Sequence, residues 1–134
     1  MRLSRLLLFG CAAALSACQP KVVNVDPRPI PYDKLGGFFS FDFPVVGNGA
    51  NALVVTYWGG DVPLGGAQRH FDILVNGAKV GEQRLDNNRP GQFFDITYPL
   101  PPHLTQGRAK VAVRFAAKPG ALAGGVFGAR LVSR

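Results

Sequence analysis

Leu53-Val54-Val55-Thr56-Tyr57-Trp58-Gly59-Gly60-Asp61 is the stretch that decides the fold. In an extended chain successive side chains point to opposite faces, so Leu53, Val55 and Tyr57 share one side while Val54, Thr56 and Trp58 share the other. Two glycines and an aspartate then break the run, as turns do. The same period-two alternation recurs outward from this segment, at Phe39, Phe41 and Phe43, at Phe71, Ile73 and Val75, and at Phe94, Ile96 and Tyr98. It returns at Val111, Val113 and Phe115 and at Phe127, Ala129 and Leu131. No helical period competes over more than about one turn. Asn76-Gly77 is the strongest hairpin signal, because both central residues of a type I′ turn need positive φ. It predicts a hairpin joining His70–Val75 to Lys79–Leu85. Pro99, Pro101 and Pro102 cannot lie in a central strand. The chain from Pro99 to Gly107 is therefore expected to cross from one sheet to the other, with Leu104 plugging the end of the core. Six or seven short strands in about 100 residues predict an all-β fold, an antiparallel, jelly-roll-like β-sandwich.

The N-terminus reads as an address. Arg2 and Arg5 precede an apolar run from Leu6 to Ala14, and Leu15-Ser16-Ala17-Cys18 resembles a bacterial lipoprotein cleavage box. Leu6 to Ala17 covers 12 residues, short of the roughly 20 that span a bilayer. Residues 1–17 are thus expected to be a signal peptide and Cys18 the acylated, palmitate-bearing mature terminus. Residues 18–35 contain Pro20, Pro27, Pro29 and Pro31 and read as an extended tether; the alternative is a first edge strand through Val22, Val23 and Val25. Residues 36–134 are the expected β-sandwich domain. This predicts a lipid-anchored protein of the cell envelope. Gln19 rather than Asp after the cysteine is compatible, by the enteric rule, with an outer-membrane position facing the periplasm or the surface.

Charge and cysteine usage exclude several function classes. The chain carries 15 Lys plus Arg against 8 Asp plus Glu, a net charge of +7 that falls to +5 once Arg2 and Arg5 leave. No basic residues run consecutively, and an exported chain meets little nucleic acid, so none is expected as partner. The only cysteines are Cys11 and Cys18; neither is left to pair, bind a metal or attack a substrate. His70 and His103 stand apart without an adjacent ligand pattern, which argues against zinc. There is no Gly-x-Ser-x-Gly elbow. Gly59 to Gly66 continues into Ala67-Gln68-Arg69 rather than Gly-Lys-Ser or Gly-Lys-Thr, so it is no phosphate loop. Glycosidase chemistry needs paired carboxylates; Asp72 and Asp95 could be neighbours on one face, but strand carboxylates are usually solvated or paired. No cofactor and no catalysis are expected. A structural calcium held by Asp42, Asp61 or backbone carbonyls stays open.

What remains is recognition. If Leu53, Val55 and Tyr57 face inward, then Thr56 and Trp58 face outward with His70, Asp72, Asp95, Thr97, Arg114 and Arg130, a polar surface with one large aromatic. Such a surface suits a glycan, with the indole stacked on a sugar face while Asp and Arg bond its hydroxyls. The loop Gly59–Gly66 lets backbone approach a ligand beside Tyr57 and Trp58, with Asp61 and Arg69 near it. The candidate glycan-binding residues are Tyr57, Trp58, Asp61, Arg69, Asp72, Arg114 and Arg130. Against this, Trp58 could cap the core at a strand end and Arg114 could pair with Asp72 or Asp95.

Leu53 to Asp61, Arg69 to Gly77, Phe93 to Pro101, Val111 to Phe115 and Ala123 to Arg130 together resemble the accessory C-terminal β-sandwich domain of bacterial β-L-arabinofuranosidase-type glycoside hydrolases, families 127 and 146. The resemblance covers about Phe38 to Val132. It implies a substrate-binding module of carbohydrate-binding type, with arabinose-containing glycans as ligands and a separate glycoside hydrolase as possible associate. The α/α-barrel that carries that family's catalytic cysteine and glutamate has no counterpart here, so hydrolysis does not carry over. Two readings follow: a non-catalytic carbohydrate-binding lipoprotein, or a structural lipoprotein that docks onto another envelope protein with Trp58 as anchor.

Overall fold

Most apolar residues of the alternating segments pack between two facing sheets. The computed structural model describes residues 36–134; the leader from Leu6 to Ala17, Cys18, the proline tether and the alternative strand at Val22, Val23 and Val25 lie outside the described residues. Seven strands follow in order: β1 (Phe38–Pro44), β2 (Asn51–Trp58), β3 (Arg69–Val75), β4 (Ala78–Leu85), β5 (Phe93–Pro99), β6 (Lys110–Ala117) and β7 (Val126–Ser133). One turn of helix, α1 (Pro102–Thr105), interrupts the β5–β6 connection. Sequence patterning gives no sign of it, since four residues are too few to show a period.

A four-stranded sheet in the order β1-β6-β3-β4 faces a three-stranded sheet in the order β5-β2-β7. Every pairing is antiparallel. This is the antiparallel β-sandwich the alternation predicts. Between the sheets lie Phe43, Leu53, Val55, Tyr57, Phe71, Ile73, Val75, Phe94, Val111, Val113, Phe115 and Leu131, all buried. Leu104 enters the same core from α1 and closes its end. At about 25 cal/mol per Å² of apolar surface, this burial is the dominant stabilising contribution in a domain without disulfides.

Asn76 and Gly77 take positive φ, 48° and 83°, and close the β3–β4 hairpin as their sequence demands. The β4 strand carries a register shift opposite Ile73 and Leu74. Its Gly81 lets the Tyr98 ring of the facing sheet approach so closely that a Cβ would stand 2.3 Å from the ring. That approach brings the Tyr57 and Tyr98 hydroxyls to 2.9 Å, and Tyr98 donates to Gln83 Oε1 at 3.3 Å.

The crossings between sheets sort to two ends. The β2–β3, β4–β5 and β6–β7 connections share one end, here the upper end; the β1–β2 and β5–β6 connections and the β3–β4 turn share the lower end.

Candidate functional site

The outer face of the three-stranded sheet gathers aromatics at its upper end. Trp58 and Phe93 are directly opposite in register, and their rings meet edge-on at 4.7 Å between centroids. Phe127 continues the run, 5.2 Å from Phe93. Phe93 is 57% exposed and Phe127 41%, while Trp58 is half-buried between strand and loop. Alternation places Phe127 inward with Ala129 and Leu131, and here the structure corrects the expectation. The β2–β7 register shifts between Thr56 and Tyr57, so Val126 pairs with Tyr57 and Phe127 is the extra residue. A bulge re-aims one side chain; Val126 takes the core position and Phe127 turns outward.

Beside the aromatics lies a polar group on the same face. Thr56 donates to Asp95 Oδ1 at 2.5 Å across the β2–β5 pair. Arg130 reaches over from β7 to the other carboxylate oxygen at 2.9 Å. These bonds, Thr56's first and then Arg130's, hold the Asp95 carboxyl below its ordinary range, so it is an ionised acceptor at neutral pH. Val54 sits on this outer face between Thr97 and Arg130 in register, yet is only 6% exposed. Long side chains cover apolar surface with their stems. Gly128, opposite Thr56, adds no side chain between the aromatic run and the polar group.

The start of the loop after Trp58, Gly59 to Asp61, packs against the β4–β5 connection. Gly59 donates to Gln92 O at 2.8 Å and accepts from Arg89 N–H at 3.1 Å; Asn87 N–H bonds Asp61 O at 2.7 Å. A Cβ on Gly59 would stand 2.0 Å from Arg89 O, so this glycine is there for backbone contact between two loops rather than for a ligand. Arg69 donates to Val62 O at 2.9 Å and stands 3.8 Å from Asp61 Oδ1. Burial raises the Asp61 carboxyl above its ordinary range despite the Arg69 charge. Asp61 and Arg69 do converge, as an internal brace of the loop.

Tyr57 belongs to the core, not to the site. It is fully buried, its hydroxyl faces Tyr98, and burial pushes its phenol far above the ordinary range. Of the outward set read from the sequence, Trp58, Thr56, Asp95, Thr97 and Arg130 share this face. His70, Asp72 and Arg114 lie on the other sheet, on the opposite outer surface of the sandwich. There Asp72 meets Lys79 at 2.9 Å and Lys118 at 3.0 Å, and His70 bonds Glu82. Arg114 lays its guanidinium 3.4 Å over the exposed Phe38 ring, not against a carboxylate. Asp72 and Asp95 therefore stand on opposite faces and form no acid pair. Asp42, on β1, accepts from Lys110 of β6, away from Asp61 at the upper end. Among the described residues no three His, Cys, Asp or Glu side chains gather as metal ligands.

Residues 31–132 match the family described as "Family of unknown function (DUF6805)". The chain belongs to that family. No curated protein matches the sequence. Solved structures share its fold at low identity. A family 35 carbohydrate binding module from Clostridium thermocellum is 18% identical, covers 87% of this chain and 88% of its own, and superposes with a TM-score of 0.53. A second family 35 module, from an environmental isolate, is 12% identical over 87% of this chain and 86% of its own, TM-score 0.50. A family GH115 4-O-methyl-α-glucuronidase with specificity for decorated arabinogalactans matches 89% of this chain with 17% of its own length, at 13% identity and TM-score 0.50. At these identities the likeness establishes the jelly-roll-like sandwich, and the side chains of the outer face carry any statement about ligands.

Proposed function

We propose that this domain is a non-catalytic carbohydrate-binding module, held in the cell envelope by lipid on Cys18. One observation carries the reading: an aromatic run of the half-buried Trp58 and the exposed Phe93 and Phe127 borders an ordered acceptor and donor pair, Asp95 and Arg130, on a single sheet face. A sugar ring offers an apolar face to the aromatics and hydroxyls to the polar pair. A purely apolar docking partner would leave Asp95 and Arg130 without use. The fold shared with carbohydrate binding modules supports the same reading. Arabinose-containing polymers are the ligands we propose first, from the resemblance to arabinofuranosidase accessory domains, with a separate glycoside hydrolase as associate and the outer membrane as location.

Affinity electrophoresis of the full chain through arabinan, arabinogalactan and a neutral control tests this. Retardation by an arabinose polymer, reduced in Trp58→Ala and in Arg130→Ala with melting largely preserved, is expected. Unchanged mobility on every glycan, with one envelope protein co-purifying through Trp58, would replace this reading with docking.

A further inference from the structure

At the lower end, the end opposite the aromatic run, the β1–β2 and β5–β6 connections enclose an open cleft of about 570 Å³. That size falls among small-molecule sites, about 300–1,000 Å³, and exceeds what a bare inorganic anion fills. Its walls are anchored at their bases. Asn51 is buried and holds the first wall from within, accepting from Val46 N–H at 3.1 Å and donating to Gly49 O at 3.0 Å. Val45 N–H bonds Ala109 O at 2.9 Å, and Leu100 N–H bonds Asn51 O at 3.0 Å, so the two walls are tied together. Thr105, buried at the end of α1, supports the second wall.

The lining is rich in donors and contains no carboxylate side chain. Among the described residues, the backbone N–H groups of Gly47, Asn48 and Gly49 make no hydrogen bond. The Asn48 and Gln106 amides add further donors, and Arg108 supplies a guanidinium that forms no ion pair with any described residue. A planar guanidinium beside free amides matches a carboxylate with two parallel bonds. The lining sets these donors beside the apolar Val45, Ala50 and Pro102, a mixture that suits a sugar ring, with its hydroxyls and its apolar face.

We propose that this cleft is a second ligand site, selective for a carboxylated sugar unit, with Arg108 clamping the carboxylate and the Gly47–Gly49 amides bonding ring hydroxyls. The carbohydrate part of this assignment rests on the reading above, while the preference for an anion rests on the cleft alone. Two sites at opposite ends of one sandwich would let the domain join two glycan strands.

Amide NMR titration of the full chain with galacturonate, galactose and inorganic phosphate decides the matter. Galacturonate is expected to shift Gly47, Asn48, Gly49 and Gly107, galactose and phosphate to leave them in place, and Arg108→Gln to weaken galacturonate about tenfold or more with unchanged melting. Trp58→Ala should leave this titration intact, so loss of the aromatic site and loss of the cleft are read separately. Equal shifts from galactose, equal shifts from phosphate, or full binding by Arg108→Gln would each overturn the assignment.

Discussion

Phe93 stands opposite Trp58 across the β2–β5 pair and meets the indole edge-on at 4.7 Å, while more than half of its own surface stays in water. An aromatic in that position adds little to the core, because its exposed side stabilises nothing in the free protein. Phe93→Ala should therefore lower the melting temperature by only a few degrees. It should weaken glycan retention by about 1 kcal/mol, roughly fivefold. Parallel melting and affinity electrophoresis give both values, and a large melting loss with unchanged retention would make Phe93 a packing residue.

Asp95 titrates below its ordinary value of 3.8 because Thr56 and Arg130 bond its charged form. A lowered folded pKa means that the stabilisation is complete above 3.8 and disappears as pH falls through the folded value. Glycan binding should accordingly hold from neutral pH past 3.8 and fail only as pH falls through the lowered folded value. In Asp95→Asn binding should be weaker at neutral pH and should lose this acid step. Retention measured from pH 7 to pH 3 shows whether the step follows Asp95.

Much of this architecture is legible in the chain. The alternation of Leu53, Val55 and Tyr57 and the Asn76-Gly77 turn each act locally, through the pleat and through positive φ, so neighbouring residues suffice to read them. Which outward residues share a surface is different, because it depends on the strand orders β1-β6-β3-β4 and β5-β2-β7. That is why Asp72 and Arg114 fall on one face and Trp58 and Arg130 on the other. Phe93 had a signal: with Phe94, Ile96 and Tyr98 inward, its neighbour must point out beside Asp95. Phe127 had none, since the bulge that turns it arises from pairing with β2 rather than from its own neighbours. Tyr57 reads as a site residue from its place beside Trp58, and the alternation that buries it is the stronger physical argument.

Gly81 is needed for contact between the sheets. Any side chain there meets the Tyr98 ring at 2.3 Å, and Tyr98 is itself fixed by Tyr57 and Gln83. Gly81→Ala should destabilise the domain by about 1–3 kcal/mol, the usual cost of overpacking. In a domain of this size that is a drop of roughly 4–8 °C per kcal/mol. A melting temperature within a degree of wild type would show that the ring can move aside.

Asn76 does more than take positive φ. Its Oδ1 accepts from Ala112 N–H at 3.0 Å and its Nδ2 donates to Leu104 O at 3.1 Å, which ties the β3–β4 turn to β6 and α1. Asn76→Gly keeps the backbone conformation and removes only these bonds. The expected cost is about 1–2 kcal/mol. Denaturant unfolding of Asn76→Gly against wild type measures it, and an equal midpoint would assign the residue's value to φ alone.

Asp61 presents the opposite electrostatic case from Asp95. Its Oδ2 is buried with no hydrogen-bond partner, pressed against Gly125, and burial outweighs Arg69 in raising its pKa. A raised folded value means that the folded state takes up a proton more readily than the unfolded chain. Stability from this group is then greatest below 3.8 and falls as pH rises through the folded value. At neutral pH the charged carboxylate is a burden that a neutral isostere lacks. Asp61→Asn should melt at or above the wild-type temperature at pH 7, and its advantage should shrink toward pH 3, where Asp61 is protonated. A lower melting temperature for Asp61→Asn at pH 7 would instead make the Arg69 ion pair, at 3.8 Å, the dominant contribution of this side chain.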